Sequence, residues 1–144
     1  MLGSDFMDME DIDISPDQII TYWFIDLDWY QSNNRSFSAL AQRCLCANCR
    51  ERLKVEEGEV PEDELLAAIK DCCSQEPGFI TGERPVLESL FRLFLANGNQ
   101  PLTLEELGEQ LSEWRVEDSY RISAEILYRL LKNEQHYGLR QVTG

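Results

Sequence analysis

Three cysteines fall within six residues at Cys44-Leu45-Cys46-Ala47-Asn48-Cys49, and two more stand side by side at Cys72-Cys73. This spacing constrains the fold more than any other stretch, because thiolates that converge on one ion lock distant backbone segments into a single arrangement. Cys46 and Cys49 have the spacing of a metal-binding knuckle. Cys44 can supply a third sulfur, and Cys72 or Cys73 a fourth from the end of the next helix. One loop and one helix separate Cys49 from Cys72, which suits a helical hairpin closed by a metal. Structural zinc is the expected ion, and an iron–sulfur cluster is the alternative, since four thiolates serve both. A thiol redox pair is a further reading, and small core hydrophobes are another. Cys44 continues the stripe of Phe37, Leu40 and Ala41, and Cys72 and Cys73 continue that of Leu65, Leu66 and Ile69. Cys46 and Cys49 fit no such stripe, because a continuous helix would put Cys46 on the face opposite Cys44.

The chain has 144 residues, 43% of them apolar and 10% aromatic, enough for one domain or two small ones with modest cores. Its net charge of −14 is uneven: residues 1–83 carry 18 acids and 6 bases, residues 84–144 carry 9 and 7. A phosphate backbone needs a basic footprint, so the first half repels nucleic acid, while the second leaves room for a local basic face. The opening residues are acidic where a secretory leader would be basic, and no apolar stretch has membrane-spanning length. The expected location is therefore cytoplasmic, where an odd set of five cysteines reads as thiols or ligands rather than disulfides.

The fold expected is mainly α. Residues 1–14 read as an acidic flexible lead, and residues 15–83 as a helical, cysteine-rich domain. Ser15-Pro16-Asp17-Gln18 resembles a helix start, followed by apolar residues at Ile19, Ile20, Trp23, Phe24, Leu27 and Tyr30 with a period near 3.6. Ser32-Asn33-Asn34 ends this first helix, with Asp26 and Asp28 on its polar side. Ser36 caps the second helix. Pro61 opens the third, with Glu62, Asp63 and Glu64 in the turn that favours acids.

Residues 84–144 are patterned more sharply. Pro85 opens a helix carrying Val86, Leu87, Leu90, Phe91, Phe94 and Leu95, closed by Asn97-Gly98-Asn99. Thr103 and Glu106 form a capping box ahead of Leu104, Leu107, Leu111 and Trp114. A polar connection over 115–121 leads to Ser123, the cap of a third helix with Ala124, Ile126, Leu127, Leu130 and Leu131. The tail from Tyr137 to Val142 alternates like a short strand. Three helices, the second opened by Pro101-Leu-Thr-Leu-Glu-Glu-Leu107, and a terminal strand resemble a winged helix-turn-helix at the level of fold. The connection before the third helix is longer than is usual there, and no clear two-stranded wing follows. The resemblance implies that the third helix carries the working face. At 100° per residue, Glu125, Tyr128, Arg129 and Lys132 point outward. In a DNA reader Arg129 would contact a base edge. Two bases, one acid and a tyrosine form a thin footprint, so a protein partner is expected ahead of nucleic acid.

No phosphate-binding glycine loop, nucleophile elbow or zinc-protease motif is present, and His136, the single histidine, is distant in sequence from the cysteines. The sequence thus points to a non-enzymatic regulatory or adaptor protein with a structural cysteine metal site. A DNA-binding transcriptional regulator with a metal or thiol sensor is the alternative. Oligomeric state is not legible.

Overall fold

The computed structural model describes residues 20–58, 60–115 and 122–143. Helices dominate, as expected: α1 (Leu27–Ser32), α2 (Phe37–Gln42), α3 (Ala47–Arg52), α4 (Glu62–Asp71), α5 (Val86–Ala96), α6 (Leu104–Trp114) and α7 (Ala124–Leu131). Two strands, β1 (Thr21–Ile25) and β2 (Leu139–Thr143), pair antiparallel with Tyr22 opposite Val142 and Ile25 opposite Leu139.

β1 takes Thr21–Ile25 out of the helix expected to start at Ser15 and end at Ser32-Asn33-Asn34, whose last part is helical as α1. The run Thr-Tyr-Trp-Phe-Ile is β-branched and aromatic, so it fits a pleated surface as well as a helical stripe. Pairing settles the choice. Trp23 and Ile25 are buried while Tyr22 and Phe24 are half-buried, the period of two that a strand requires. On one edge β1 meets β2. On the other, Trp23 N–H donates to Leu102 O at 2.8 Å and Leu102 N–H returns to Trp23 O at 3.0 Å. Beyond that bridge the Asn99 side chain acts as a further strand residue: its Oδ1 accepts from Ile25 N–H at 2.8 Å and its Nδ2 donates to Ile25 O at 2.9 Å. Asp26 then caps α1, its carboxylate accepting from Asp28 N–H, rather than lying on a helix's polar side. The Ser15–Gln18 cap and the acidic lead lie outside the described residues.

The starts of α2, α4, α5, α6 and α7 fall where the sequence places them, whereas α3 has no counterpart in the sequence reading. Ser36 Oγ accepts from Ala39 N–H, Ser123 Oγ from Ile126 N–H, and both halves of the Thr103–Glu106 capping box form. α5 is buried along most of its length and supplies Leu90, Phe91, Phe94 and Leu95 to the core. Residues on either side of position 83 share that core, among them Phe37, Leu65, Ile69, Phe91, Leu107, Leu127 and Leu139. Aromatic rings pass through it edge to face, Tyr30 on Phe37 at 5.5 Å and Phe37 on Phe91 at 6.2 Å between centroids, and Phe91 meets Tyr137 at 5.1 Å.

The polar connection after α6 is not all solvent-facing. Arg115 is buried, and its guanidinium donates to the carbonyls of Arg84 and Gly82. Residues 116–121 lie outside the described residues. The expected apolar face of α7 is also narrower than its composition suggests. Leu127 and Leu131 are buried, whereas Ile126 and Leu130 are 46% and 36% exposed.

The turn into β2 depends on two residues. The buried Glu134 carboxylate accepts from the backbone N–H groups of His136, Tyr137 and Leu139. Gly138 sits at φ +68° against α1, where a Cβ would come within 2.7 Å of the Tyr30 ring and 2.9 Å of the Trp29 ring. The Tyr30 hydroxyl donates to Tyr137 O beside it, so the ring cannot swing away without losing that bond. Gly138→Ala is therefore expected to cost about 2–4 kcal/mol in urea unfolding, combining left-handed strain with a steric clash. A loss below about 0.5 kcal/mol, the range of a neutral surface change, would show that α1 and the turn move apart freely.

Candidate metal centre

The sequence from Cys44 to Cys49 folds as the end of one helix and the start of another. α2 stops at Gln42, Leu45 N–H bonds to Gln42 O, and Cys46 becomes the N-cap of α3 in an extended conformation. Cys49 then lies in the first turn of α3, so both sulfurs come to the same helix end. Arg50 secures this junction from within α3, its Nη1 donating to Gln42 O at 2.6 Å.

The other two sulfurs arrive from α4. Its apolar side buries Leu65, Ala68 and Ile69, and the helix gives way at Cys72 to a short 3-10 turn over Cys73–Gln75. Cys72 N–H closes the helix on Ala68 O, and Ser74 Oγ caps the Lys70 carbonyl at 2.8 Å. This change of helix type turns both neighbouring cysteines toward α3.

The Sγ atoms of Cys46, Cys49 and Cys72 lie within 4.8 Å of one another. Cys46 Sγ is 3.9 Å from Cys72 Sγ and 3.4 Å from Cys73 Sγ, and Cys46 N–H donates to Cys73 Sγ at 3.1 Å. Four cysteines thus cluster in an arrangement compatible with a metal site. A tetrahedral ion with metal–sulfur bonds of ~2.3 Å holds its sulfurs ~3.8 Å apart, and the two measured Cys46 separations bracket that edge.

Cys44 is not part of the cluster. Its thiol lies on the core side of α2, directed at Leu40 O at 3.9 Å, and burial pushes it up from the usual thiol range. It continues the α2 stripe, as the packing reading of the sequence anticipates. Cys72 is one of the three mutually close sulfurs, and Cys73 meets the cluster through Cys46.

The electrostatics around the four sulfurs are asymmetric. The backbone N–H of Cys49 holds Cys46 below the usual thiol range. Cys72 is pushed up to about 11, chiefly by hydrogen bonding with Cys49 and Cys46. Cys73 is pushed up to about 12, chiefly by burial. Cys72 and Cys73 therefore retain their protons longer than isolated thiols do, and a cation beside them would favour the thiolates. Arg52 lies beside the site, its Nη2 donating to Cys49 Sγ at 3.4 Å. The sequence carries a signal for Arg50 and Arg52, two bases directly after the knuckle, but it does not reveal that one ties α3 to α2 and the other meets a sulfur.

The remaining residues singled out from the sequence lie elsewhere. Glu125, Tyr128, Arg129 and Lys132 are all exposed on α7. Glu125 and Arg129 form an ion pair at 3.5 Å, Lys132 lies over the Tyr128 ring, and Trp23 packs edge-on against that ring at 6.5 Å. His136 is exposed and meets Arg35 at 3.3 Å through Nδ1. No known protein family, curated protein or solved structure matches the chain. Among the described residues, no helix is long and apolar enough to cross a membrane.

Replacing each cysteine in turn separates the cluster from its neighbour. Cys44→Ala is expected to leave metal content unchanged and to cost about 1–2 kcal/mol in stability, a small core truncation. Cys46→Ser, Cys49→Ser, Cys72→Ser and Cys73→Ser should each lower the metal retained after dialysis. Equal metal retention in Cys44→Ala and Cys46→Ser would contradict this assignment.

Proposed function

We propose that this chain is a non-enzymatic regulatory or adaptor protein in which Cys46, Cys49, Cys72 and Cys73 hold a structural zinc ion and the module from α5 to β2 meets a protein partner. The close approach of the four sulfurs, from two segments with no regular hydrogen-bonded ladder between them, carries this reading. Single-ion spacing favours zinc over an iron–sulfur cluster, whose cysteines bind different irons and stand further apart. Zinc has no redox chemistry of its own, and four protein ligands leave no open position for a substrate. A reducing, cytoplasmic setting suits such thiolates.

The partner reading rests on α7. Leu127 and Leu131 anchor it, and its outward residues combine Tyr128, Arg129 and Lys132 with the exposed Ile126 and Leu130. A surface that mixes aromatic, aliphatic and basic groups suits protein better than a phosphate backbone, and Glu125 already neutralises Arg129. In this module β1 is paired with Leu102 ahead of α6 on one edge and with β2 after α7 on the other.

Elemental analysis of purified protein is expected to give one zinc per chain, with loss of far-ultraviolet helical signal on chelation. Protein free of both zinc and iron would remove the metal reading, and iron would replace zinc with the cluster. Mixed with random duplex DNA at low salt, the protein is expected to give no mobility shift. A shift that weakens steeply with salt would favour the transcriptional-regulator alternative.

A further inference from the structure

The sulfurs at this site are paired as well as clustered, and one thiol is excluded. Cys46 Sγ lies closer to Cys73 Sγ, at 3.4 Å, than to Cys72 Sγ, at 3.9 Å. The hydrogen bond from Cys46 N–H to Cys73 Sγ holds that neighbour in place. Cys49 and Cys72 remain, within 4.8 Å of each other. Cys46 and Cys73 line an open cleft of about 320 Å³, whose wall includes the buried Cys44, and Cys72 lines a second of about 250 Å³ beside Arg52. Each pair therefore has one half-exposed sulfur, Cys46 or Cys72, that a small reagent meets from solvent, and one buried sulfur, Cys73 or Cys49, behind it. Cys44 Sγ is turned instead toward Leu40 O.

We propose that the four sulfurs form a redox switch: a hydroperoxide converts them to two disulfides, Cys46–Cys73 and Cys49–Cys72, and expels the metal. This inference rests on the metal reading for its consequence but not for its chemistry. In each pair one sulfur, as thiolate, attacks a peroxide oxygen. The O–O bond breaks, the sulfur takes the attacked oxygen and becomes a sulfenic acid, and the departing oxygen takes a proton from solvent and leaves as water from hydrogen peroxide, or as the alcohol from an organic hydroperoxide. The second sulfur attacks it, the S–O bond breaks, and water forms as the disulfide closes. Each disulfide therefore consumes one peroxide and two thiols, and a site holding zinc consumes two peroxides and releases one zinc ion. A disulfide sulfur is a poor ligand, so the ion cannot remain. The covalent links join the N-terminus of α3 to the C-terminus of α4 where the ion did, so the oxidised chain keeps its helices while the reduced, metal-free chain loosens.

The test adds hydrogen peroxide to purified full-length protein and follows three readouts: free thiols, released zinc by a chromogenic chelator, and disulfide connectivity by mass spectrometry with partial reduction. Thiols should fall from five to one, with Cys44 as the survivor, and released zinc should approach one per chain. Trypsin leaves Cys44, Cys46 and Cys49 in residues 44–50 and Cys72 and Cys73 in residues 71–92, so a Cys49→Ser/Cys72→Ser variant isolates the Cys46–Cys73 link as one cross-linked pair. Unchanged thiols in metal-loaded protein, a disulfide that includes Cys44, or a Cys46–Cys49 link would overturn the inference while leaving the metal reading intact. The two expected disulfides in protein that never contained metal would support the pairing and remove the metal reading instead.

Discussion

The fold depends on β1 being held along both edges. Five residues near the start of the described chain are held by the last strand on one side and by Leu102 and Asn99 on the other, so the carbonyls and amides of Trp23 and Ile25 have partners while their side chains enter the core. A buried backbone group without a partner costs as much as a lost hydrogen bond, and a two-stranded ribbon alone is marginal. The additional pairing to the loop between α5 and α6 turns a weak ribbon into a central strand over α5. It also places Trp23 against Tyr128 of α7, so the face suggested for partner binding is supported by β1.

The cysteine cluster meets a similar need between the start of α3 and the end of α4. α1, α2 and α3 have six residues each, well short of the ~12–15 at which an isolated helix becomes marginal in water. Such pieces persist only through what they touch. α2 has Phe37 and Ala41 in the core, but α3 buries Cys49 alone. Its position therefore relies on sulfur contacts and on Arg50. A structural zinc site contributes on the order of 10–16 kcal/mol in small metal domains, far more than one short helix gains by packing. The same economy explains the sensitivity proposed for the site: an element with so little apolar anchoring follows the state of its sulfurs.

Several features were legible because their causes are local. Ser36, Thr103 with Glu106, and Ser123 are caps whose hydrogen bonds reach no further than three residues, and each forms as read. The strand after Tyr137 was visible in its alternation. The knuckle was visible in the Cys46–Cys49 spacing, and the doubt about Cys44 in its continuity with Leu40 and Ala41. Illegible were the features whose cause lies far along the chain. Thr21 to Ile25 reads as a helical stripe until the partner strand near position 140 is known. Arg115 and Glu134 look like solvent-facing charges until the carbonyls and amides they meet are in place.

By itself the sequence determined where α2, α4, α5, α6 and α7 begin, that helices dominate, and that Cys46 and Cys49 come close together, because capping, periodicity and knuckle spacing act over a turn or two of chain. Only the tertiary structure decided that the aromatic segment is a strand, that both Cys72 and Cys73 join the cluster while Cys44 does not, and that Ile126 and Leu130 remain at the surface. Each of those outcomes rests on contacts between residues that are not neighbours in sequence, and local pattern is blind to them: the same apolar run satisfies a helix or a strand until its partners are chosen.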